Sequence, residues 1–145
     1  MSPPPPPPPP PDALSALVLE ARTIAVVGLS PKPERPSHGV ARYLQAQGYR
    51  IIPVNPGHAE ILGERSYPTL AAAAREHAIE IVDVFRRSIY AGGVLDEAIA
   101  LRPRPRLIWL QEGVVDAAAQ ARAVAAGIRC EMDRCLAVYH RTLEV

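Results

Sequence analysis

Five short apolar runs rich in β-branched residues, each stopped by a turn signal and separated by segments of helical period, constrain this chain more than any other feature. Thr23 to Val27 is stopped by Gly28, Arg50 to Val54 by Asn55-Pro56-Gly57, and Ile79 to Phe85, Leu107 to Leu110 and Ile128 to Met132 follow. Continuous apolar runs, unlike alternating ones, read as strands buried on both faces. Between them the apolar spacing is that of helices. Residues 12–21 carry Leu14, Leu17 and Val18 behind a cap at Asp12. Ser37 is placed to cap a helix containing Val40, Ala41, Tyr43 and Leu44 that Gly48 closes. Thr69 caps an alanine-rich helix through Glu76. Ser88 caps another to Leu101, weakened by Gly92 and Gly93 at about 1 kcal/mol each, unless that helix starts after Gly93. Residues 115–126 form a helix ended by Gly127, and a turn of helix closes the chain. Strands alternating with helices over so short a length predict a doubly wound α/β fold: a five-stranded parallel sheet with helices on both faces.

Composition separates this body from a tail. Nine of the 17 prolines form the run Pro3 to Pro11, so residues 1–11 read as a disordered polyproline tail, either passive or docking on an aromatic groove, and residues 12–145 as a single domain. A formal charge of +1 gives no global field for nucleic-acid or membrane binding, so neither partner is expected and any anion site is local. Lys32 is the only lysine, which favours forked guanidinium contacts elsewhere. The sequence has no 18-residue apolar stretch and no basic-then-apolar start, and with two cysteines it cannot build a disulfide framework; a cytoplasmic location is expected. Nothing in the sequence sets an oligomeric state.

In an open α/β sheet, ligands sit outside the carboxyl ends of the strands. That rule selects Gly28 to Ser37, Asn55 to His58, Phe85 to Ser88 and Gln111 to Gly113. The first segment is expected to hold phosphate: Gly28, Leu29 and Ser30 turn the chain away from the strand, Lys32 and Arg35 supply cations, and Pro36-Ser37 open a helix whose first amides, through His38 and Gly39, face the loop. The dinucleotide fingerprint G-x-G-x-x-G is absent, and the second strand ends in Asn55-Pro56 where such proteins place a carboxylate for the ribose hydroxyls. A nicotinamide-dinucleotide binder of the same architecture is therefore the alternative reading, redox sensor or dehydrogenase-like.

Eight motifs occur in one order: Val26-Val27-Gly28-Leu29-Ser30, Arg35-Pro36-Ser37, Tyr43-Leu44 with Gly48-Tyr49, Pro53-Val54-Asn55-Pro56, Tyr67-Pro68-Thr69-Leu70, Asp83-Val84-Phe85-Arg86, Trp109-Leu110-Gln111-Glu112-Gly113 and Asp133-Arg134-Cys135. In this the chain resembles the small stand-alone CoA-binding domain proteins, relatives of the CoA-binding domain of the succinyl-CoA synthetase alpha subunit, over residues 12–142. The resemblance implies a Rossmann-like domain holding CoA or an acyl-CoA across the strand ends. Ser30, with Pro31 and Lys32, matches the phosphate loop. His58 stands where the ligase subunit has a Lys, replacing a permanent charge by one that titrates near neutrality. Leu110, Gln111 and Glu112 match a cofactor-contacting stretch, and Tyr139 replaces a Glu of the stand-alone family. The ligase also uses a second domain with a phosphorylated histidine and a partner subunit, and neither fits in 145 residues. The expectation is binding, with no intrinsic ligase reaction and no catalytic residues.

Other candidates receive structural readings. Cys130, Cys135 and His140 lack the paired spacing and fourth ligand of a zinc site, so no metal is expected. Cys135 is read as a small buried hydrophobe; beside Arg134 the alternative is a thiol that forms a mixed disulfide with CoA. Asp83 is read as orienting a loop amide, Arg86 and Arg87 as phosphate contacts or solvated charges, and Trp109 as packing.

Overall fold

A computed structural model describes residues 13–143. The elements are α1 (Ala13–Glu20), β1 (Thr23–Val27), α2 (Pro36–Ala46), β2 (Arg50–Val54), β3 (Glu60–Ile61), β4 (Glu64–Arg65), α3 (Leu70–Ala74), β5 (Ile81–Val84), α4 (Ser88–Ala100), β6 (Leu107–Leu110), α5 (Ala117–Ala125), β7 (Arg129–Glu131) and α6 (Leu136–Thr142). The proline run and the proposed cap at Asp12 lie outside the described residues.

The main sheet has five strands in the order β2-β1-β5-β6-β7. All four of its pairings are parallel, with Val27 opposite Val54 and Val84, and Val84 opposite Leu110. This is the expected doubly wound, Rossmann-like α/β sheet. Successive residues of each strand serve opposite faces. Ile24, Val26, Ile51, Leu107 and Trp109 pack under α1, α2 and α6; Ala25, Val27, Ile52, Val82 and Ile108 pack under α3, α4 and α5. β5 and β6 are buried along their whole length and β1 at every residue but Thr23, and continuous apolar runs follow from that two-sided burial.

Helix boundaries depart from the sequence reading where a cap is involved. α2 starts two residues earlier than a Ser37 cap would allow: Arg35 occupies the N-cap without a side-chain cap bond, and Pro36 sits in the first turn. Proline there has its φ preset and needs no amide partner. Thr69 does cap α3, its Oγ1 accepting from the Ala72 N–H at 3.1 Å, but that helix ends at Ala74, two residues short of Glu76. α4 runs through both Gly92 and Gly93, with Arg87 at the cap position and Ser88 as its first residue. Gly92 has a packing reason: a Cβ there would lie 2.9 Å from the Asp116 carboxylate, the side chain that caps α5 by accepting from the Ala119 N–H at 3.0 Å. The third and fifth strands of the sheet are shorter than expected, at Ile81–Val84 and Arg129–Glu131.

The stretch after β2 holds an unexpected two-stranded antiparallel hairpin. Its two-residue turn places Leu62 and Gly63 at φ 55 and 74, the positive-φ pair of a type I′ turn.

Candidate functional site

The order of the strands locates the site. From β1 the chain moves outward to β2, then crosses back to add β5 on the other side. The connections that follow β1 and β5 therefore diverge, opening a crevice at the carboxyl ends of these strands. Gly28 permits the divergence. It adopts φ 86, and a Cβ at this position would collide with the Phe85 carbonyl oxygen and lie 3.1 Å from its carbon. Only glycine tolerates both the left-handed backbone and this approach. Hydrogen bonds fasten the strand ends on either side, from Gly28 N–H to Val54 O at 2.9 Å and from Phe85 N–H to Val27 O at 2.8 Å.

A cavity of about 760 Å³ lies across this crevice. Of the residues expected from sequence to contact a ligand, Gly28, Ser30, Lys32, Arg35, Pro36, Ser37, Asn55, His58, Phe85, Arg86, Gln111 and Glu112 line it. Leu29, Pro56 and Leu110 do not. Leu29 and Leu110 are fully buried in the two cores, while Pro56 is exposed on the turn beyond β2. The lining also includes Pro31, Val40, Arg87, Gly113, Val114 and Cys135. From sequence Val40 reads only as a helix-face residue, and Val114 lies one residue beyond the segment Gln111 to Gly113. Cys135 is half-buried in this wall, which corrects its reading as a small buried hydrophobe.

The loop after β1 is more self-contained than a row of open amides. Ser37 Oγ accepts from the Ser30 N–H at 3.0 Å, and Ser30 Oγ accepts from the Lys32 N–H at 3.1 Å. The His38 and Gly39 amides, expected to be free, both donate to the Arg35 carbonyl at 3.1 and 3.2 Å. An anion here would thus be held chiefly by side-chain charge and by the dipole of the 11-residue α2. The loop is tied to its neighbour as well: Asn55 Nδ2 donates to the Leu29 carbonyl at 2.7 Å. The residue found in place of a ribose-binding carboxylate therefore joins two loops of the crevice.

The charge of the lining is one-sided. Lys32, Arg35, Arg86 and Arg87 carry permanent positive charge against the single carboxylate of Glu112. None of these four cations pairs with a carboxylate among the described residues; the ion pairs present lie elsewhere, as in Arg50–Glu64 and Arg122–Asp96. Arg86 rests over the Tyr90 ring at 4.9 Å. Phe85, Val40, Val114 and Pro36 add apolar surface to the same cavity. The combination suits a ligand with a phosphorylated end and an uncharged remainder.

Gln111 occupies the wall above a buried acid. Its Nε2 donates to Asp83 Oδ1 at 2.5 Å, and Asp83 is wholly buried, with Oδ2 finding no hydrogen-bond partner among the described residues. Burial raises the Asp83 pKa from 3.8 to about 7, although the hydrogen bond from Gln111 opposes the shift. Asp83 thus fixes an amide on the cavity wall, in keeping with the orienting role read from the sequence. Trp109 packs in the core, also as read, and its indole N–H donates to the Arg134 carbonyl at 2.8 Å. Among the described residues no group of three or more His, Cys, Asp or Glu is arranged to hold a metal ion, and no helix is long and apolar enough to cross a membrane.

Comparison with known proteins agrees with this geometry. Residues 22–141 match the model of a family described as CoA binding domain. The chain is 38% identical over 127 residues to the uncharacterized protein YneT of Bacillus subtilis, covering 88% of this chain and 91% of that protein. It is 40% identical to the solved structure of cell-free ID.343 from Thermus thermophilus, with a TM-score of 0.81 and coverage of 90% and 96% of the two chains. A dinucleotide-forming acetyl-coenzyme A synthetase from Ca. Korarchaeum cryptofilum shares the fold at 21% identity and a TM-score of 0.63, this chain covering 25% of that one. The family match spans the sheet and every wall of the cavity, and the chain belongs to the CoA-binding domain family.

Proposed function

We propose that this protein binds CoA or an acyl-CoA in the crevice between the β1 and β5 ends, and that it acts as a binder with no ligase reaction of its own. The observation that carries the reading is the charge of the lining: four permanent cations without carboxylate partners beside one Glu, on a partly apolar cavity. CoA joins phosphates at its nucleotide end to a long uncharged arm, and both halves find complementary surface here. Lys32 and Arg35, exposed on the loop after β1, are assigned to the phosphates. Gln111, held by Asp83, is assigned to an amide of the arm, and the apolar lining to its uncharged length.

Isothermal titration with CoA, acetyl-CoA, NAD and NADP tests the proposal. Saturable one-to-one binding of CoA or acetyl-CoA with no response to the two dinucleotides is expected. Tight NAD binding with no response to CoA would overturn the reading in favour of a dinucleotide binder.

A further inference from the structure

The two cysteines occupy contrasting environments. Cys130 lies in β7 among the core residues under α5, and burial pushes its thiol up to about 11. Cys135 stands at the turn between β7 and α6, half-buried in the cavity wall, and it holds the N-cap position without a side-chain cap bond. The turn that presents it is fastened to the end of β6. The Gly113 N–H donates to Asp133 Oδ1 at 2.7 Å, the Trp109 indole donates to the Arg134 carbonyl at 2.8 Å, and the Arg134 guanidinium lies over the Trp109 and Tyr139 rings at 5.4 and 4.8 Å. The thiol is therefore held in place on the wall and is not carried by a loose segment.

Its position along the cavity adds a second observation. His58 follows β2, Lys32 and Arg35 follow β1, Arg86 and Arg87 follow the central β5, and Cys135 lies in the turn after β7. The β7–α6 turn leans back over the sheet, the Arg134 N–H donating to the Leu110 carbonyl at the β6 tip at 3.4 Å. The thiol thus shares one cavity with the four cations, beside the β6 tip. A CoA whose phosphates meet those cations would carry its own thiol within the cavity that Cys135 lines.

Resting on the CoA reading above, we propose that Cys135 is a thiol–disulfide exchange site for CoA disulfides, so that the ligand is retained covalently under oxidising conditions. The Cys135 thiol gives up its proton to solvent, and its sulfur attacks the CoA sulfur of a CoA disulfide. The original S–S bond breaks, a Cys135–CoA disulfide forms, and the departing sulfur leaves with the electron pair and takes up a proton. The disulfide substrate supplies the oxidising equivalent, and a small thiol reverses the step.

Full-length protein is incubated anaerobically with CoA disulfide, and intact mass with peptide mapping is followed over time. The expected result is addition of one CoA per chain at Cys135, removed by dithiothreitol, lost in Cys135→Ser and retained in Cys130→Ser. Docking of the nucleotide end raises the local concentration of the disulfide, so CoA disulfide should react at least about tenfold faster than glutathione disulfide. Equal rates for the two disulfides, or labelling at Cys130, would overturn the proposal. Titration of Cys135→Ser with reduced CoA separates the two claims. If that variant binds CoA while wild-type protein is never labelled, the exchange site is wrong and the binding reading stands. If neither protein binds reduced CoA, both fail.

Discussion

Replacing Asp83 by Asn should stabilise the domain above neutral pH and remove a pH dependence that the wild-type chain carries. Asp83 is wholly buried, and burial raises its pKa from 3.8 to about 7. The folded chain therefore binds this proton more tightly than the unfolded chain does. The stability associated with that proton is complete below about pH 4 and is lost as the pH climbs to about 7. A difference of about three units at 1.36 kcal/mol each amounts to roughly 4 kcal/mol, a large share of the 5–15 kcal/mol that holds a typical domain folded. Asn keeps an oxygen to accept from Gln111 and never ionises, but it places an N–H₂ where Oδ2 has no partner, at a cost of about 1–3 kcal/mol. The net expectation is a variant about 1–3 kcal/mol more stable at pH 8, with its advantage shrinking by about 1.4 kcal/mol per unit from pH 7 to 5. Urea titrations from pH 5 to 8 measure this, followed by the fluorescence of Trp109, the single tryptophan and fully buried. Subtracting the two curves cancels the titration of groups common to both chains. A difference constant across that range would show that Asp83 ionises as an ordinary carboxylate and would refute the argument.

Two further outcomes follow from the crevice. Lys32→Ala and Arg35→Ala should each weaken CoA binding by about 1–3 kcal/mol, the range for hydrogen bonds to charged groups, while the Tm of the free protein stays put because both side chains are exposed; unchanged affinity in calorimetry would remove the loop from the site. Gly28→Ala should cost about 2 kcal/mol or more of stability in chemical denaturation, since the left-handed backbone alone costs about 1–2 for a residue with a Cβ and the methyl group also meets the Phe85 carbonyl; a variant as stable as wild type would show that the two strand ends are not packed as described.

The core of the fold was legible because burial on both faces writes itself into the chain. Thr23–Val27, Arg50–Val54 and Leu107–Leu110 were bounded correctly from apolar runs and their stop signals. The hairpin at Glu60–Arg65 was not, because strands of two residues show no periodicity and the turn puts a leucine at positive φ where asparagine or glycine would have signalled it. The start of α2 was displaced for a related reason: Ser37 looks like a cap, yet its hydroxyl accepts from Ser30 across the loop, leaving Arg35 at the cap. In the crevice, position at strand ends was enough to name the loops but not the depth of each side chain. Leu29 and Leu110 flank lining residues and turn into opposite cores. Cys135 belongs to the wall because the β7–α6 turn is fastened to β6, a tertiary effect whose only sequence trace is the Asp133-Arg134-Cys135 motif.

The central claim, that CoA occupies the crevice between β1 and β5, is tested most directly by mapping amide chemical shifts of the ¹⁵N-labelled chain during a titration with reduced CoA. Saturable shifts should concentrate in residues 28–39, 55–58, 85–88 and 111–114, with α1 and the outer face of α5 unmoved. Saturable shifts centred elsewhere, or none at millimolar CoA, would contradict it.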